Sequence, residues 1–165
     1  MKRRPLLRWP DPRLRTPAAP VAEITDEVRQ IWDEMIETMD AMPGVGLAAP
    51  QIGVMLQLAV VDASDDRNRR IRMANPKVLD ASAILNSHEE ASPNLPGVHA
   101  AVKRPRGVAV RFMDETGIYV RRDFVGLEAT SVQHQIDHLQ GKMYFDRLSK
   151  VKRDMLLRRA RKHQG

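Results

Sequence analysis

The sequence predicts an α+β fold, with small antiparallel sheets wrapped around one central helix and a further helix at the C-terminal end. Three observations predict it. Apolar residues recur at helical spacing between Val28 and Met39, short apolar runs bounded by turn residues follow, and a second helical pattern stops at Gly141 before a basic tail. The length of 165 residues suits one domain, 1–165, with its own hydrophobic core.

The elements follow in order. Pro5, Pro10, Pro12, Pro17 and Pro20 keep the first twenty residues extended or turning. Thr25 is placed to cap a helix whose first turn carries Asp26 and Glu27, where negative charge meets the positive end of the helix dipole. Val28, Ile31, Trp32, Met35, Ile36 and Met39 form its single apolar stripe, and Met42-Pro43-Gly44 stops it. Leu56 to Asp62 and Arg70 to Asn75 read as strands. Val108 to Asp114 and Ile118 to Arg122 read as a hairpin turned at Glu115-Thr116-Gly117. A helix from Gly126 to Gln140 ends at Gly141. Residues 150–165 make the last helix, with Val151, Met155, Leu156 and Arg159 expected to face the body.

Composition removes several classes of function. There is no cysteine, hence no disulfide, no thiolate ligand and no thiol nucleophile. No run of apolar residues is long enough to span a bilayer. The start, Met1-Lys2-Arg3-Arg4-Pro5-Leu6-Leu7-Arg8, is basic but lacks the apolar stretch of a secretory signal, so a cytoplasmic protein is expected. The formal charge is +6, and the tail alone accounts for that excess: Lys150, Lys152, Arg153, Arg158, Arg159, Arg161 and Lys162 stand against Asp154. A basic tail on a net acidic body suits a polyanion such as RNA. A solvated helix face is the plain alternative.

The strongest chemical signal is Gln133-His134-Gln135-Ile136-Asp137-His138-Leu139. Four residues apart on a helix, His134 and His138 project from one face and can share a metal ion. In H-E-x-x-H hydrolases the intervening Glu takes a proton from the metal-bound water, and here that position is Gln135. Such a histidine pair by itself is common on ordinary helix faces. Two further segments add weight, Gly44-Val45-Gly46-Leu47-Ala48-Ala49-Pro50-Gln51 and Glu89-Glu90-Ala91-Ser92-Pro93-Asn94-Leu95-Pro96. With Trp9-Pro10-Asp11-Pro12-Arg13-Leu14-Arg15 and Pro20-Val21, their order and spacing resemble the peptide deformylases over roughly residues 5–150. The first segment matches that family's G-x-G-L-A-A-x-Q at every fixed position.

The resemblance implies a peptide deformylase-like fold and a reaction, the metal-dependent removal of the formyl group from the N-terminal methionine of nascent polypeptides. It implies a divalent Fe, Ni or Zn ion held by His134, His138 and the residue at position 92. It also implies a base at position 135, and oxyanion donors from Gln51 and from the backbone N–H of residue 93. It implies a substrate pocket including Gly44, Val45, Gly46, Leu47, Leu95 and Gly97, and a C-terminal helix that docks on the ribosome. This sequence departs from the family's E-G-C-L-S at Ala91, Ser92, Pro93 and Asn94, and from its Glu at Gln135.

A neutral hydroxyl is a poor ligand where a thiolate is a good one. Pro93 has no N–H, and one lost oxyanion donor costs about 10²–10³ in rate. A carboxamide accepts no proton at useful pH, and general acid–base help is worth about 10²–10⁴. The expectation is a weak or absent metal and an inactive or severely impaired hydrolase with a retained pocket. Two alternatives stand beside it: altered metallohydrolase activity on formyl-peptides or another amide, and a non-catalytic module binding ribosomes or nascent chains. Glu128 lies two helical turns from Gln135, about 10 Å along the axis, too far to replace the base. Glu89 or Glu90 reaching the centre from the loop stays open.

Overall fold

The computed structural model describes residues 4–164; the Met1-Lys2-Arg3 start of the basic N-terminal segment and the final Gly165 lie outside the described residues. Helix α1 spans Asp26–Ala41, and the Thr25 hydroxyl accepts a hydrogen bond from the backbone N–H of Val28 at 3.2 Å. All six residues of the apolar stripe are buried. Strands β1 (Gly46–Ala48), β2 (Leu58–Val61) and β3 (Ile71–Ala81) follow. Then come β4 (Leu85–Glu90), β5 (Ala100–Pro105), β6 (Gly107–Met113) and β7 (Tyr119–Val125). Helix α2 spans Gly126–Leu139 and α3 spans Lys150–Gln164. Among the described residues, no helix is long and apolar enough to cross a membrane.

Five strands make one antiparallel sheet in the order β1-β2-β3-β6-β7, and β4 pairs β5 in a second, two-stranded sheet. Period-two alternation assigns the faces of the larger sheet. Val108, Val110 and Phe112 of β6 pack with Ala129, Val132, Ile136 and Leu139 of α2. Ala74 and Met113 belong to the cluster built on α1. The sheet is thus a layer between α1 and α2, and α2 is buried from Ala129 to Leu139 without a break.

Several boundaries differ from expectation for physical reasons. Strand β3 runs on past Asn75 to Ala81, with a register shift between Ala74 and Lys77 and Asn75 itself at φ 52. The Asn75 carboxamide bonds both the N–H and the C=O of Val21, so an apparent strand end is a bulge pinned to the N-terminal segment. Strands β1, β4 and β5 are short or polar and gave no alternating apolar signal. The β6–β7 turn closes at Gly117, whose φ of 85 favours glycine, but β7 begins at Tyr119 and continues to Val125.

The contact face of α3 also differs. Leu156 and Ala160 are buried, whereas Val151 and Met155 are exposed, as is Arg159. Leu156 and Ala160 join Leu14, Leu95, Val98, Val102, Met143, Tyr144 and Phe145 in a third cluster. That cluster, which includes Val102 of β5, ties α3 to the loop that follows β4.

Candidate active site

His134 and His138 stand one turn apart on the buried face of α2, with their Nε2 atoms 3.2 Å apart. Behind His134, its Nδ1 lies 2.8 Å from Oε1 of Glu90, the last residue of β4. Arg104 of β5 reaches the same carboxylate through Nε and Nη2 at 2.7 and 2.9 Å, and donates from Nη1 to Asp137 at 2.9 Å. Arg147 closes the other side of Asp137 at 2.6 and 2.9 Å. Two acids and two guanidiniums therefore alternate in a chain that runs from exposed Arg147 through buried Asp137, Arg104 and Glu90 to the histidine pair. Burial pushes the Glu90 carboxyl up, but hydrogen bonds from His134 and Arg104 outweigh it and hold its pKa below the usual value. Asp137 behaves alike: burial raises it, and Arg147 and Arg104 bring it down.

This arrangement answers whether a loop acid replaces the base. Glu90 lies on the Nδ1 side of His134, away from the point where the two Nε2 atoms meet, with both oxygens engaged. Glu89 is largely exposed and pairs with His99 at 2.9 Å. Glu128 pairs with Arg69 at 2.7 Å. No carboxylate is left free at the histidine pair by these bonds.

The proton positions follow from the partners. A carboxylate only accepts, so His134 donates to Glu90 from Nδ1. His138 is buried at 2 % exposure, and burial together with the neighbouring His134 lowers its pKa well below the ordinary value, so it is neutral. Its Nδ1 has no hydrogen-bond partner, and neither has Oε1 of the buried Gln135. Tyr144 stacks on His134 at 6.1 Å between ring centroids, and burial, with Glu90 nearby, pushes its hydroxyl up to about 12.

Asn94 organises the substituted loop. Its fully buried Oδ1 accepts from Gln51 Nε2 at 2.7 Å and from the Ser92 hydroxyl at 3.1 Å. Its Nδ2 donates to the carbonyls of Leu7 and Gln51 at 2.7 and 3.1 Å. Gln51 Oε1 in turn accepts from the backbone of Ala48 at 2.9 Å. The segments carrying Gln51 and Ser92 are thereby locked together through one carboxamide.

A groove of about 420 Å³ opens beside the histidine pair. Gly44, Val45, Gly46, Gln51, Ser92, Pro93, His134 and Gln135 line it, so first, second and third motifs meet there. Gly46 makes room for its neighbours: a Cβ there would displace the Gln135 carboxamide and the Ser131 hydroxyl. Three residues expected in the pocket lie elsewhere. Leu47 points into the α1 cluster, Leu95 into the α3 cluster, and Gly97 packs against the His163 ring. Met42, Leu127, Thr130 and Ser131 line the groove without having been anticipated. Thr130 and Ser131 precede His134 and Gln135 by four residues each, so helical spacing was the signal for them.

Do these residues suit a divalent ion? The imidazole pair is half of a site, since bonds of about 2.0–2.1 Å around a tetrahedral ion would separate two nitrogens by roughly 3.3 Å. The other half does not fit. Among the described residues, no group of three His, Cys, Asp or Glu converges, and the position beside the pair holds the Ser92 hydroxyl, whose proton is directed at Asn94. Two neutral imidazoles and an alcohol fall short of the three anionic or imidazole ligands of a catalytic centre.

Comparison with known proteins agrees with the architecture. The family model described as polypeptide deformylase matches residues 3–154. A peptide deformylase of Acinetobacter baumannii is 40% identical over 158 residues, covering 96% of this chain and 90% of the relative. The crystal structure of a peptide deformylase from Legionella pneumophila superposes with a TM-score of 0.92 at 37% identity, covering 99% of this chain and 96% of that one. A Met-Ala-Ser-bound crystal structure of a class I type b peptide deformylase from A. baumannii superposes at 0.84 with 28% identity, covering 89% and 99%.

Proposed function

The chain belongs to the peptide deformylase family, and from that premise we propose that it keeps the family's peptide groove while its hydrolytic centre is inactive or severely impaired. The family acts on nascent formyl-methionyl peptides with a divalent metal ion. One observation carries the proposal: among the described residues, Glu90 is taken up by Arg104 and the Nδ1 side of His134 and Glu89 by His99, so neither stands in for the base missing at Gln135. Ser92 and Pro93 add to the case by supplying neither a thiolate nor a backbone donor.

The groove supports the binding half of this reading. Met42, Val45 and Leu127 offer apolar surface for a first side chain, and Gly44 and Gly46 keep the backbone approachable. The Met-Ala-Ser tripeptide held by the A. baumannii relative has the chemistry such a groove would accept. We assign the protein to one domain acting in the cytoplasm on nascent chains. The test is hydrolysis of formyl-methionyl peptide by purified protein, with metal content measured after dialysis against a mild chelator. Substoichiometric metal and turnover near background are expected. A firmly held equivalent of Fe, Ni or Zn with metal-dependent turnover would instead establish a working metallohydrolase with an altered ligand set.

A second reading is compatible with the first and rests on α3. Its inner face is held by Leu156 and Ala160, and Lys150, Lys152, Arg158, Arg159, Arg161 and Lys162 are exposed. Such a face suits the phosphates of ribosomal RNA.

A further inference from the structure

We propose that Arg67 is a positioning residue for the groove, stapling the Met42-Pro43-Gly44 turn in the place that admits a peptide. This rests on the reading of a retained peptide groove.

Met42, Pro43 and Gly44 line the groove where α1 has ended and β1 has not begun. A segment between two elements has few backbone bonds of its own. Here the Met42 N–H reaches back to Thr38 and Met39 at 3.2 Å, and the Gly44 N–H to Met39 at 2.9 Å. The Gly44 carbonyl is claimed by the connection between β2 and β3, residues 62–70. Arg67 Nη1 donates to it at 2.6 Å, and Nη2 of the same guanidinium donates to Asp40 Oδ1 at 2.7 Å. Asp40 precedes Met42 by two residues and Gly44 follows it by two, so one planar fork grips both ends of the turn. A lysine, with its charge at a single point, has no such fork.

The backbone at Arg67 runs against its residue type. Its φ is 58, in the left-handed region that favours glycine. Such a conformation persists when the surrounding bonds over-determine it. Those bonds are present. Arg70 Nε donates to the Arg67 carbonyl at 3.3 Å, and Arg70 Nη2 holds the second Asp40 oxygen at 2.6 Å. Arg70 also faces the fully buried carboxylate of Asp62 at 3.8 Å. Arg69 pairs with Glu128 at 2.7 Å, next to groove-lining Leu127. The connection is thus tied both to the end of α1 and to the first turn of α2, and Arg67 passes that anchorage to the turn.

The experiment measures Met-Ala-Ser binding by calorimetry and amide exchange by NMR, on the full chain and on three variants. Arg67→Gly decides, because glycine accepts the positive φ without strain and so offsets stability lost with the guanidinium. Its thermal midpoint should stay near that of the unaltered chain. Its affinity should fall about tenfold, as for a turn in place about a tenth of the time. The Met42 and Gly44 amides should exchange faster while those of α2 do not. Arg67→Lys should fall between, and Arg29→Gln, which removes the same charge from an exposed pair on α1, should change nothing. Unmoved affinity, or unmoved exchange at Met42 and Gly44, in Arg67→Gly overturns the proposal and leaves the groove reading standing. Faster exchange spread through α2 would make Arg67 a general support of the fold and overturns the proposal equally. Failure of the unaltered chain to bind the peptide at millimolar concentration overturns the groove reading, and this proposal with it.

Discussion

Single residues decide the chemistry, and their effects should not be separable. Gln135→Glu restores a base beside a site that lacks a third strong ligand; Ser92→Cys restores the ligand without the base. Each change alone is expected to leave formyl-methionyl peptide hydrolysis near background, and the pair together to raise it with metal uptake, because such groups act as a unit. Pro93→Leu should add a further increment by returning a backbone donor. Robust turnover from Gln135→Glu alone would show that Ser92 suffices as a ligand. Arg104 is the other decisive residue. It is 1 % exposed and bridges Glu90 to Asp137, so Arg104→Ala leaves buried Glu90 with His134 alone and buried Asp137 with Arg147 alone. A loss of about 3–5 kcal/mol is expected from denaturant unfolding.

At the scale of the element, α3 has two faces with different duties. Leu156 is fully buried in the cluster of Leu95, Tyr144 and Phe145. Leu156→Ala should cost about 2–5 kcal/mol through the cavity it leaves, while Val151→Ala, at an exposed position, should stay within about 0.5 kcal/mol. The outer face is tested by changing Lys152, Arg158, Arg159 and Lys162 to Gln. Ribosome co-sedimentation of the unaltered chain should weaken steeply with added salt, and the variant should pellet less at low salt. Equal pelleting by the two proteins would reduce the basic face to ordinary solvated surface. The apolar periodicity of α1 announced its contact face correctly because one stripe carried all its large side chains. On α3 the apolar residues are scattered among charges, and contact with the body selected Leu156 and Ala160 over Val151 and Met155.

For the whole molecule, the buried carboxylates Glu90 and Asp137 make stability sensitive to acid. Glu90 and Asp137 have depressed pKa values in the fold, so their contribution is present above the unfolded carboxylate range and lost as pH falls through their lowered values. His138 is held neutral, so the unfolded chain gains a proton below about 6.5 that the fold refuses, which again favours unfolding in acid. Thermal midpoints should therefore decline from neutral pH to pH 5 and fall more steeply below pH 4. A flat profile between pH 7 and 5 would mean that His138 is protonated in the folded protein.

Local pattern alone determined the α+β class, the extent of α1 and α2, the hairpin, and the meeting of His134 and His138 on one helix face. These depend on spacing along the chain, which helical and strand periods convert directly into geometry. The motifs likewise announced the substitutions at Ser92, Pro93 and Gln135, since residue identity is the whole of that information. Tertiary structure decided the rest. Whether Glu90 faced the centre or turned its back depended on Arg104, fourteen residues on and across a strand pair. That Asn94 joined Leu7, Gln51 and Ser92 depended on contacts up to 87 residues apart. Leu47, Leu95 and Gly97 left the groove because the clusters of α1 and α3 claimed them, an outcome set by which surfaces meet when the layers close. Chain-local periodicity carries no information about such meetings, and in this protein they determine what stands beside the histidine pair.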